Sequence, residues 1–227
     1  MKKNLKAFTL IELLVAISIF FALVITTYIP YAFYQNKAKV NITIKDISQS
    51  INEARNLAIN GLEREVTVDS VDEDGLPIKI KVKKNLSIGI LLSKTDKNQI
   101  KYYGYPYDMN IDDIKVPEFN GILSGTPEEL EENIFIVKSN NILYPINIDE
   151  IKTIDTSVNT EEDNENIFIL FSAIKGTPSI HKLDTYNHTI APLSGDEVKV
   201  AVSFKNAKPG PLRKELTYTP KTNLIDY

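Results

Sequence analysis

Cysteine and tryptophan are both missing from this chain of 227 residues. Without cysteine there is no disulfide, no thiolate metal site and no cysteine nucleophile, so stability must come from burial. Histidine is scarce as well. His181 and His188 are the only two, in a segment broken by turn residues, and no third ligand stands at zinc-motif spacing. No glycine-rich phosphate loop, dinucleotide fingerprint or paired-carboxylate motif occurs, so the expectation is a protein that is not an enzyme and carries no cofactor and no metal. The charge balance is 26 Lys and Arg against 30 Asp and Glu, a net −4, and any nucleic-acid contact would have to be a local patch.

What the chain does have is a long stretch without charge. From Leu13 to Asn36 no Asp, Glu, Lys or Arg occurs, and Leu, Ile, Val, Phe and Ala dominate its first part. A bilayer core takes roughly 20 helical residues, so Leu13 to Tyr34 is long enough to span it. Lys2, Lys3 and Lys6 precede the span. They favour the N-terminus inside and the remainder outside. A cleaved secretory signal would have a shorter apolar part, of about 7 to 15 residues, so the segment is expected to be retained.

Glu12 interrupts the apolar start of this helix. An acid facing hydrocarbon costs roughly 2.5 to 3.5 kcal/mol at the bilayer centre, and such acids pair or serve a function. The alternative is a carboxylate in the headgroup layer, favoured by the positive end of the helix dipole.

The run Lys6-Ala7-Phe8-Thr9-Leu10-Ile11-Glu12-Leu13-Leu14-Val15-Ala16 resembles the cleavage and methylation signature of type IV prepilins and type II secretion pseudopilins. The resemblance implies a basic leader, 1–7, cut by a prepilin peptidase between Ala7 and Phe8, followed by N-methylation of Phe8. The family's usual glycine before the cut is replaced here by Ala7, also small. Glu12 would become the fifth residue of the product, and the loss of Lys2, Lys3 and Lys6 would take the net charge from −4 to −7. In a filament, Glu12 of one subunit can pair with the new amine on Phe8 of its neighbour, a contact that sets register more than bulk stability. The implied partners are the peptidase and methyltransferase, other pilin subunits, the assembly platform with its ATPase, and membrane lipid. The implied location is the cytoplasmic membrane, then a surface or periplasmic filament. A single-pass anchored binding or adhesion protein that never polymerises is the alternative.

Residues 8–36 are therefore the expected transmembrane and filament-core helix, and 37–61 an amphipathic continuation. Val40, Ile44, Ile47, Ile51, Ala54 and Ala58 recur at alternating intervals of four and three, one apolar stripe on a helix, and Gly61 is a suitable stop. Pro30 removes one backbone bond within this helix, so a kink or local melting is expected there; the resemblance gives it a role in assembly.

Beyond Gly61 the period changes to two, and 62–227 reads as an antiparallel β head, so the fold class is α+β. Expected strands are a short one around Val66, Val68 and Val71, then 78–83, 87–92, 99–103, 134–138, 142–148, 167–174, 198–204 and 216–219, with a turn at 72–75 and a short helix opening at Thr126. The helix end and following hairpin are similar to minor pseudopilins of the H type and FimT-like pilins. Four head features are candidate sites. Lys79, Lys81, Lys83 and Lys84 form a basic row that could meet an anionic partner or simply be a solvated strand face. Tyr102, Tyr103, Tyr105 and Tyr107 could stack on a ligand, although Tyr103-Gly104-Tyr105-Pro106 reads more simply as a packed loop. Two acidic clusters, Asp69, Asp72, Glu73, Asp74 and Glu161, Glu162, Asp163, Glu165, lack the spacing of a calcium loop.

Overall fold

The structure, a computed structural model, describes residues 9–72, 75–95, 99–109, 135–142, 145–183, 190–193, 195–204 and 210–227. One helix, α1, runs from Leu10 to Ile59. At 1.5 Å per residue its 50 residues reach about 75 Å. It starts at the N-cap Thr9 and ends at Asn60, after which Gly61 takes the left-handed φ of +69° that lets the chain turn away. The amides of Gly61 and Leu62 close the last turn on the carbonyls of Ala58 and Leu57.

The helix has two halves with opposite fates. Before Val40 its large apolar side chains lie bare, with Leu10 82% exposed. From Val40 onward the predicted stripe is fully buried, and all six of its residues are 0% exposed. Thr43, Ser48 and Ser50 are also buried, which widens the covered face beyond the apolar stripe. The reason is that α1 packs against strands of two different sheets. Helical backbone continues through Pro30, so the melting expected there is absent from the single chain. One missing bond does not break a helix that propagates cooperatively on both sides.

Twelve strands form two antiparallel sheets among the described residues. They are β1 (Glu63–Val71), β2 (Pro77–Ser93), β3 (Gln99–Pro106), β4 (Phe135–Asn141), β5 (Ile146–Asp155), β6 (Thr160–Asp163), β7 (Asn166–Phe171), β8 (Pro178–Leu183), β9 (Ile190–Pro192), β10 (Glu197–Phe204), β11 (Arg213–Thr219) and β12 (Leu224–Asp226). The larger sheet has the order β4-β3-β2-β7-β8-β9, with β1 also paired to β2; the smaller has the order β12-β11-β10-β5-β6. The fold is α+β, as expected, with one core shared by α1 and both sheets. Ile88, Ile90 and Ile169 of the larger sheet and Val198, Val200 and Leu216 of the smaller meet the helix stripe there.

Several strand expectations need correction. The segments 78–83 and 87–92 are one strand of 17 residues, β2, whose first half pairs only with β1 and whose second half lies between β3 and β7. Tyr103 to Pro106 is strand rather than loop, because Leu86 to Gly89 supply its ladder partners. The fifth strand starts at Ile146, not at 142, and runs on to Asp155. The strand at 167–174 stops at Phe171, where a turn begins. The strands β6, β8, β9 and β12 were not anticipated; three of them are sheet-edge strands of only three or four residues. The helix expected at Thr126 lies outside the described residues.

Candidate functional site

The N-terminal helix is the first candidate site. Thr9 and Glu12 form a reciprocal capping box: the Thr9 amide donates to Glu12 Oε2 at 2.9 Å, the Thr9 hydroxyl donates to the same oxygen at 2.8 Å, and the Glu12 amide donates back to Thr9 Oγ1 at 3.3 Å. The Thr-x-x-Glu spacing carried this signal in the sequence, where it was not read. A carboxylate has a second oxygen to offer, so capping its own helix leaves Glu12 able to take a further partner. Lys2, Lys3, Lys6, Ala7 and Phe8 lie outside the described residues. Above the cap, the bare half of α1 presents Leu14, Ile17, Phe20, Phe21 and Ile25 to its surroundings. It is long and apolar enough to cross a membrane. Just before Pro30, the hydroxyls of Thr26 and Thr27 donate to carbonyls one turn earlier, those of Ala22, Leu23 and Val24.

A polar clamp joins the buried half of α1 to the larger sheet. Tyr102 Oη donates to Glu53 Oε2 at 3.2 Å and accepts from Asn140 Nδ2 at 2.9 Å, while the same nitrogen reaches Ser50 Oγ at 3.2 Å. Lys138 Nζ pairs with Glu53 Oε1 at 2.6 Å and lies 5.9 Å from the Tyr102 ring centre. Burial pushes the Tyr102 phenol up to about 12, so it remains a neutral donor. Sequence reasoning missed this clamp, because its members are brought together from positions 50 to 140 only by the fold.

The head candidates fare differently. Lys79, Lys81 and Lys83 stand on the free half of β2, opposite Asp69, Thr67 and Glu65 of β1, and Lys84 pairs with Asp108 at 2.5 Å. The basic row is thus interleaved with acids. The apolar residues between them, Ile78, Ile80 and Val82, do not enter the core; each is 37–39% exposed, because β1 and β2 leave the sheet here as a two-stranded ribbon. The tyrosines split: Tyr102, Tyr103 and Tyr105 are buried, and Tyr107 is exposed. In the second acidic cluster Glu161, Glu162 and Asp163 pair with Lys152, Lys182 and Lys94 at 3.1, 3.0 and 2.5 Å. In the first, Asp72 Oδ1 accepts from the Leu76 amide at 2.8 Å, while Glu73 and Asp74 lie outside the described residues. His181 is buried and its Nε2 meets Ser179 Oγ at 2.8 Å; His188 lies outside the described residues. Among the described residues no group of three His, Asp or Glu side chains could hold a metal ion.

The family described as "Prokaryotic N-terminal methylation motif" matches residues 2–28. Residues 2–28 carry a type IV pilin-like N-terminal motif. The match spans the lysines before Thr9, the capping box and the first part of the bare helix, and the exposed apolar surface begins in the same stretch. Comparisons with curated proteins and with solved structures find no match. The motif points to a pilin-like precursor that prepilin peptidase processes and that assembles with other pilins. An anchored precursor fits both the motif and the helix.

Proposed function

We propose that this pilin-like chain is a structural subunit of a type IV pilus or a type II secretion-like pseudopilus, cut between Ala7 and Phe8 and polymerised through α1. The observation that supports it is the division of one continuous helix at Val40. Half of the helix is the spine of a folded head, and the other half is an apolar rod that the chain itself leaves bare. Lipid can cover that rod in the precursor, and neighbouring rods can cover it in a filament.

In this reading the Phe8 amine created by cleavage meets Glu12 of an adjacent subunit, and the low dielectric around the pair punishes any register that leaves either charge alone. Pro30 is where the helix can loosen during packing, since Thr26 has already lost its backbone partner there. The leader lysines keep the N-terminus inside and the head outside. Intact-mass and N-terminal analysis of the protein from its native membrane tests the proposal. The expected product begins at Phe8 with one added methyl group. A mature protein that still begins at Met1 would overturn it.

A further inference from the structure

The ribbon of β1 and β2 has a definite place relative to α1. β2 passes the end of the helix at Asn85 and Leu86: the Leu86 amide donates to the Leu62 carbonyl at 2.8 Å, and a Cβ on Gly61 would lie 3.2 Å from Asn85 Oδ1. Further along the strand, Ile90 pairs with Tyr102, whose hydroxyl reaches Glu53 of α1. The strand from Leu86 to Ile90 and the chain from Leu62 back to Glu53 each cover about 13 Å, so β2 and α1 run side by side in opposite directions. The other half of β2, Pro77 to Asn85, therefore continues past the end of α1, away from the bare rod. With its partner β1 it reaches about 30 Å further.

The two faces of this ribbon differ. One carries Lys79, Lys81 and Lys83 opposite Asp69, Thr67 and Glu65, so its charges are largely balanced. The other sets Val82 opposite Val66 and Ile80 opposite Val68, with Ile78 next along β2. Val66 is buried, but Ile78, Ile80 and Val82 stay partly open in a row. A contiguous apolar strip on a projecting ribbon marks a surface that a partner keeps dry.

We propose that this apolar face docks on the head of a neighbouring copy of the chain in the filament. The inference rests on the filament reading above, and the dimensions of the chain select the occupant. Rods anchored in one membrane by the same charge rule point the same way. They cover each other only where their bare parts overlap, Leu10 to Lys39, about 45 Å. A neighbour therefore stands at most about 45 Å higher. Within the head the helix runs from Val40 to Ile59, about 30 Å, so the lower end of the raised head lies no more than about 15 Å above the end of α1. A ribbon reaching about 30 Å past that point overlaps the neighbouring head in height at every offset the rods allow. The bilayer lies at the opposite end of the helix, out of the ribbon's reach.

The test has two arms, both on filaments of the full processed chain. In the first, Ile78 near the ribbon tip is replaced by the photoreactive p-benzoylphenylalanine. Irradiated filaments should yield an adduct of twice the mass of the processed chain, cross-linked within residues 40–227, and chain dissolved in detergent should yield none. In the second, Ile80→Asp should lower filament yield about tenfold by placing an unpaired charge in the contact, with processing at Phe8 intact. Lys81→Asp on the opposite face should change the yield less than about twofold. Should either Ile80→Asp or the photoreactive chain fail to fold, the other arm decides. Filaments without the adduct, cross-links confined to residues 8–39 or to a different polypeptide, equal adduct from dissolved chain, or equal loss from Ile80→Asp and Lys81→Asp would overturn the proposal and leave the filament reading standing. A mature chain that still begins at Met1 would overturn both.

Discussion

Thr9 sends two hydrogen bonds, from its amide and its hydroxyl, to the single oxygen Oε2 of Glu12. The acid is therefore both a cap for its own helix and a charge available to a neighbour, and the two roles can be separated. Glu12→Ala should loosen the helix start by removing the reciprocal half of the capping box. It should leave the head folded, because the core of α1 begins at Val40, while filament incorporation falls sharply. Thr9→Val removes the cap and keeps the charge, so its filament yield should stay much closer to that of the unaltered protein. Immunoblots of sheared filaments against the membrane fraction measure both; equal loss in the two variants would assign the whole effect to capping.

Gly89 is a position where volume decides. An added methyl would overlap the Phe168 ring at 1.8 Å and disturb the stacking of Tyr103 and Tyr105 on it. Gly89→Ala is expected to destabilise the head by about 1 to 3 kcal/mol, read as a lowered denaturant midpoint.

Ile174 is held at a φ of +69°, a conformation that a β-branched residue adopts only under constraint. The constraint is visible: its amide donates to the Ala58 carbonyl at 3.0 Å, and two residues later Gly176 packs so close to Ile59 that a Cβ would lie 2.4 Å away. The turn clasps the end of α1. Since Ile174 is itself 61% exposed, Ile174→Gly should relieve strain with little loss of burial and raise stability by about 1 kcal/mol. Gly176→Ala should do the opposite. Thermal unfolding of the two variants checks both signs.

His181 is 2% exposed, and burial holds its imidazole below the ordinary value. The folded protein thus refuses a proton that the unfolded chain accepts near pH 6.5. Its contribution to stability should be level above that pH and decline as the pH falls below it, until the folded imidazole also protonates. Urea midpoints between pH 7.5 and 5 should show the decline, and His181→Gln should flatten it.

The first sixty residues were legible without coordinates because each of their signals is local. A charge-free run, a four-and-three spacing from Val40 to Ala58 and a glycine stop are all features of neighbouring positions along one helix. The head was legible only where strands alternate over enough residues. Two segments of β2 looked like separate strands because Lys84 and Asn85 interrupt the apolar pattern, yet backbone pairing carries on through them. The strands β9 and β12 are three residues long, too short for any period to show.

By itself the sequence determined a membrane-length apolar rod, its processing signature and the stripe on which the head is built, since those follow from side-chain order along one helix. Tertiary structure alone decided that Tyr105 is buried while Tyr107 is not, that Lys79 and Lys83 of β2 lie opposite Asp69 and Glu65 of β1, and that Glu53, Tyr102 and Asn140 meet. Such outcomes depend on which strand lies beside which, and pairing between distant segments leaves no periodic trace in either one.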